Sequence, residues 1–260
     1  MIPLGCDNIT HAIKTLAAIY QVDVGRIGNV ANGDWPDFLN APDSCYQDIF
    51  GLPYLPSLMA TYLKCLPNCD FGEVTYYHRT AYDGTLEWFE DGLLDSISGA
   101  QTFLTKAARL VSIAENDVVL AIKNIEERNA FERMSSGGPY AFDTFDDAKS
   151  ADCTGLDYSL PEFLVGTVWQ AKYGVSHAQE LREQLQKFLK PVIVKFSACP
   201  SDPDRYINNL WQYIYRAHQR EPMPQGSCYP CTFIGGGKPI PAQKIIEIFD
   251  LKSSWPFSCV

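Results

Sequence analysis

Three observations on the 260-residue sequence predict an α+β fold. Apolar residues recur at helical spacing near the N-terminus, and at Val74 the pattern changes to short β-branched and aromatic runs. Two further helical stretches follow after residue 176. The expected organisation is a helical N-terminal segment, 1–72, packed on a core domain, 73–260. The core domain is a split antiparallel β core with a helical insertion at about 176–220.

Asp7 or Asn8 is placed to cap a helix over 9–20, where Ile9, Ala12, Ile13, Leu16, Ala17 and Tyr20 fall on one face. Residues 28–53 are rich in Gly, Asn, Asp and Pro and read as loop. A second helix is predicted over 58–66, capped by Ser57 and closed by Pro67-Asn68. Val74-Thr75-Tyr76-Tyr77-His78 reads as a strand ending at the histidine, followed by a helix over 83–90 that stops at Gly92. Residues 101–105 read as a second strand and 106–111 as a helical turn or two. The continuous apolar run at 117–123 reads as a buried third strand. Residues 135–139 form a loop and 162–169 a fourth strand. Helices are predicted at 176–189 and 204–219, with a strand at 191–196 between them. A glycine-rich turn from Gly235 leads into a last strand at 245–248.

Composition narrows the function. Apolar content of 46% and charged content of 20% are those of a folded globular chain. A net charge of −10 argues against nonspecific binding to nucleic acid or to anionic membranes. No apolar run approaches the ~20 residues that span a bilayer, so no membrane partner is expected. The first residues lack a basic, apolar leader, and the nine cysteines are scattered rather than framed. Both point to a cytoplasmic protein, or one exported without a cleaved signal peptide.

The chain has four histidines, and His78 stands at a predicted strand end beside a helix start, a place suited to ligand binding. Tyr77-His78-Arg79-Thr80, then Leu86 through Gly92-Leu93, then Thr102-Phe103-Leu104-Thr105, then Val118 to Ile122, then Glu162-Phe163-Leu164-Val165 follow in order. This order resembles the ADP-ribosyltransferase superfamily of the diphtheria-toxin and poly-ADP-ribose polymerase type, over residues 74–170.

The resemblance implies a mono-ADP-ribosyltransferase that takes NAD as substrate and modifies a macromolecular acceptor, protein or nucleic acid. It implies a toxin or effector, with an antitoxin or immunity protein as a partner. By the same resemblance Glu162 is the catalytic carboxylate, stabilising positive charge that develops at the nicotinamide ribose. His78 bonds the adenosine ribose and Thr80 supports the cofactor. Phe103, with Thr105 closing its motif, offers the aromatic face for the nicotinamide. Tyr140, after Gly138-Pro139, is an alternative aromatic, and beside it lies an acidic cluster of Asp143, Asp146 and Asp147.

The sequence departs from the family pattern at three places. Phe103 stands where Tyr is usual. Arg79 replaces Gly and either reaches the pyrophosphate or points to solvent. Leu160 stands where arginine-modifying relatives carry Glu or Gln. Cys231-Thr232-Phe233-Ile234-Gly235 is a rival for the Glu162 strand, and it places a thiol at the catalytic position. A nucleic-acid acceptor needs a basic strip, with Arg79, Lys106, Arg109 and Lys123 as its nearest members. In a separate reading, Cys65-x-x-x-Cys69 and Cys228-x-x-Cys231 have the pairwise spacing of a structural zinc site in a non-catalytic interaction domain. Gly235-Gly236-Gly237-Lys238 lacks the Ser or Thr and the helix of a phosphate loop.

Overall fold

The computed structural model describes residues 3–33, 35, 54–131, 137–151, 179–219 and 233–251. They form a mixed α and β chain that divides into two compact units. Unit 1 comprises Met1–Tyr76, Phe142–Ala148 and Ser197–Phe233. Unit 2 comprises Tyr77–Ala141, Lys149–Phe196 and Ile234–Val260. The first break falls at Tyr76, and the N-terminal unit also recruits two later segments that the expected 1–72 division leaves out.

Unit 1 is helical. Helix α1 (Ile9–Tyr20) is capped by the Asn8 side chain, which accepts from the His11 amide at 3.0 Å. Helix α2 (Val24–Ala31) replaces the start of the expected 28–53 loop, because Asp23 caps it and Ile27 and Ala31 have a core to enter. Helix α3 (Pro56–Leu63) starts earlier than expected and without a side-chain cap, since Pro56 is itself suited to a first turn.

These three helices pack against a long helix, α8 (Pro203–Gln219). Its Trp211 is fully buried, edge-on to Tyr20 at 6.0 Å, and donates its indole N–H to the Tyr20 hydroxyl at 3.2 Å. A polar seam runs along the same helix. Asn209 donates to buried Asp143 at 2.6 Å, Tyr213 donates to Asp146, and Arg216 clasps Asp147 through two bonds of 3.0 and 3.1 Å. Asp143 and Asp147 of the acidic cluster are thus internal, while Asp146, beside Asp147 on the short helix α6 (Phe145–Ser150), stays exposed; each of the three carboxylates has a donor on one face of α8. The Cys6 thiol is completely buried in this unit. Burial first, then the carboxylates of Asp147, Asp146, Asp7 and Asp143, push it well above the ordinary thiol range.

Unit 2 holds a three-stranded sheet in the order β1 (Val74–Tyr82, entering from unit 1), β3 (Lys190–Ala198), β5 (Ile245–Asp250). Strands β3 and β5 run antiparallel from Val192↔Asp250 to Phe196↔Ile245, with an irregularity between Lys195 and Phe196. β3, which contains the strand expected at 191–196 within the 176–220 insertion, is therefore the centre of the sheet. β2 (Tyr140–Ala141) and β4 (Phe233–Ile234) form a separate two-stranded pair.

Two predicted strands are helices. Residues 101–105 lie in α4 (Ser96–Leu110), and 117–123 lie in α5 (Glu115–Phe131). Phe103, Leu104, Ala107 and Val111 make a helical face, joined by Ala121 of α5, by Leu181, Leu185 and Leu189, and by Ala81 of β1, in one apolar cluster. Leu181 and Leu185 belong to α7, helical over 179–186. The 118–122 run misleads because only one side of it is covered: Ala121 is buried while Val119 is 61% exposed. The expected 83–90 helix shrinks to a 3-10 turn over Leu86–Phe89. Asp83 spends its carboxylate on the Thr85 amide and hydroxyl, a turn rather than a cap. The expected 162–169 strand lies outside the described residues.

Candidate functional site

His78 sits in the middle of β1, not at its end. Side chains alternate along a strand, and the burial pattern follows: His78 and Thr80 are partly exposed on one face, Arg79 and Ala81 buried on the other. This alternation decides the fate of several predicted site residues.

Arg79 is 5% exposed, with Nη1 donating to the Lys149 carbonyl at 3.4 Å. It faces the interior and is not placed for a pyrophosphate. Phe103 packs in the cluster that includes Ala81, hence on the face of β1 opposite His78, with Trp88 edge-on at 5.8 Å. It is core, and no ligand held by His78 meets its ring. Thr105 lies in α4 and donates its hydroxyl to the Gln101 carbonyl at 2.8 Å, a local helix bond. Thr80 shares the His78 face.

Tyr140, the alternative aromatic, is the one whose segment touches His78. The His78 Nδ1 lies 2.7 Å from the Tyr140 carbonyl oxygen, and the tyrosine is 42% exposed. A carbonyl only accepts, so Nδ1 carries the proton and, in the neutral ring, Nε2 keeps its lone pair. Burial lowers the His78 pKa from its ordinary value, against a smaller raising effect of the Tyr140 bond. The imidazole is therefore neutral at physiological pH, with Nε2 an acceptor, and its Nδ1 partner is the main chain of an exposed tyrosine.

Residues 235–240 run across the segment that delivers Tyr140. The Gly235 amide donates to the Pro139 carbonyl at 3.0 Å and the Gly237 amide to the Gly138 carbonyl at 3.1 Å. At the other end Leu93 and Ile240 exchange two backbone bonds of 2.9 and 2.7 Å. Gly92, with φ +79, lies so close that a Cβ there would meet the Ile240 carbonyl oxygen at 1.9 Å. Apart from the glycines themselves, no residue pattern signals this crossing. The Gly137-Gly138-Pro139-Tyr140 run was the readable signal for the aromatic.

The remaining predicted residues do not join the site. Lys106 donates to the Glu87 and Trp88 carbonyls at 3.1 and 3.2 Å and lies over the Trp88 ring. Lys123 pairs with Glu127 at 3.7 Å. Arg79 is buried and cannot join a surface strip, while Arg109 is exposed on α4, the helix that also carries Lys106. Glu162, Cys228 and Cys231 lie outside the described residues, so the catalytic carboxylate and half of the zinc set are unplaced. Cys65 and Cys69 carry free thiols. Among the described residues no group of three or more His, Cys, Asp or Glu is arranged to hold a metal ion, and no helix is long and apolar enough to cross a membrane. No family model, curated protein or solved structure matches the chain.

Proposed function

We propose that this chain is a mono-ADP-ribosyltransferase of the diphtheria-toxin and poly-ADP-ribose polymerase type, with NAD bound over the His78 and Thr80 face of β1. The observation that carries the reading is the 2.7 Å bond between His78 Nδ1 and the Tyr140 carbonyl. It joins the two residue types that the resemblance requires, a strand histidine and an aromatic platform, on neighbouring segments. The aromatic is Tyr140 and not Phe103, which removes one departure from the family pattern by restoring the tyrosine hydroxyl.

The residues fit NAD. Neutral His78 offers Nε2 as an acceptor for a ribose hydroxyl, and the exposed Tyr140 ring offers a face for the nicotinamide. In this reading Glu162 supplies the carboxylate that stabilises developing positive charge when the nicotinamide departs. The acceptor is macromolecular. A protein acceptor fits better than a nucleic acid, given the net charge of −10 and the internal commitments of Arg79 and Lys106.

Incubation with labelled NAD is expected to release nicotinamide. His78→Ala, Tyr140→Ala and Glu162→Gln should each abolish the release, while Phe103→Ala should lower stability by about 3–5 kcal/mol and leave turnover of the folded fraction intact. Full activity in Glu162→Gln would refute the carboxylate assignment. Absence of NAD binding by calorimetry would refute the family reading.

A further inference from the structure

We propose that residues 235–240 act as a positioning strap for the proposed NAD site, with Gly235 its indispensable residue, holding the Tyr140 segment against His78. For turnover the proposal rests on the reading above; its geometric core does not.

The strap lies against one segment at each end. Gly235 and Gly237 bond the carbonyls of Pro139 and Gly138, one and two residues before Tyr140. The Ile240 end is bonded to Leu93, and behind it Gly92 leaves no room for a side chain. At Gly235 a Cβ would stand 2.6 Å from the Gly138 carbonyl oxygen and from Pro139 Cδ, and 2.8 Å from the Pro139 nitrogen. These are backbone and ring atoms that cannot rotate aside, so any side chain lifts the strap from the segment beneath it. Gly137 makes the reciprocal approach, its Cβ position 3.2 Å from the Gly237 Cα. The next residue after that clasp is Tyr140, whose carbonyl fixes the proton on His78 Nδ1. A displaced segment therefore loses the tautomer as well as the ring position, and a displacement on the order of 1 Å costs up to about a hundredfold in rate.

The test reads His78 directly. Long-range proton–nitrogen spectra of the imidazoles, with His78→Gln assigning the signal, report which nitrogen carries the proton without any NAD. The unmodified chain should show the Nδ1–H form, and Gly235→Ala should show a mixture of tautomers. Gly237→Ala has open space at its Cβ and only its φ of +74 to strain, so it is the milder variant if Gly235→Ala does not fold. Gly84→Ala, with φ +96 but outside the strap, carries comparable backbone strain and should leave the His78 spectrum unchanged. With NAD, kcat/KM of the strap variants should fall about tenfold to a hundredfold. An unchanged His78 spectrum in folded Gly235→Ala or Gly237→Ala protein overturns the strap. A changed spectrum in a chain that never turns over NAD supports the strap and overturns the functional reading.

Discussion

Burial holds His78 below its ordinary pKa of 6.5, and protonation turns Nε2 from an acceptor into a donor. NAD affinity should therefore stay level from neutral pH down past 6.5 and fall only at more acid pH, through the lowered value. Calorimetric titration across that range checks it. The linked effect on stability has a definite sign. The unfolded chain takes the proton first, so stability is full above pH 6.5 and falls as pH drops from 6.5 down to the folded-state value. His78→Gln should flatten that part of a Tm-against-pH curve. The histidine was readable in the sequence because a strand histidine is rare here. Its partner was not, since the Tyr140 contact spans 62 residues. Phe103 misled because residue type alone does not say which face of which element carries it.

Helix α4 shows what decides an element. Burial pushes the Asp95 carboxyl up, but hydrogen bonds accepted from the Ser98 and Ile97 amides, at 3.0 and 2.9 Å, leave it below the usual carboxylate value. Asp95→Ala should cost about 1 kcal/mol. The loss should be full above pH 3.8 and fade as pH falls through the lower folded-state value, so mutant and parent melting curves converge in acid. Elements with a clear period and cap, α1 and α8, were legible from the sequence, as were the continuous strands β3 and β5. The 101–105 and 117–123 runs were not. A short apolar stretch fits a strand or a buried helix equally well, and only the partners Leu181, Leu185 and Leu189, far along the chain, select the helix.

At the scale of the whole molecule, chain order and compact unit do not coincide. Helices α1, α2 and α3 cover α8, which begins more than a hundred residues later. A fragment of residues 73–260 should therefore expose Tyr206, Trp211 and Ile214, bind a hydrophobic dye and lack a cooperative melt for α8. A sharply melting, dye-silent fragment would show that the N-terminal helices are dispensable. The sequence displayed these helices individually but not their union, because their shared core draws on residues nearly two hundred positions apart, such as Tyr20 and Trp211.

The buried thiol of Cys6 has a practical consequence. It is sealed and held protonated, whereas Cys69 and Cys199 lie at the surface. An alkylating reagent should therefore mark the surface pair first, Cys69 slowed by the burial and the Asp204 and Asp202 carboxylates that push its thiol up, and Cys6 only during a transient opening of its unit. Nature has left a stopwatch inside the protein: the rate at which that one sulfur is consumed counts how often unit 1 breathes.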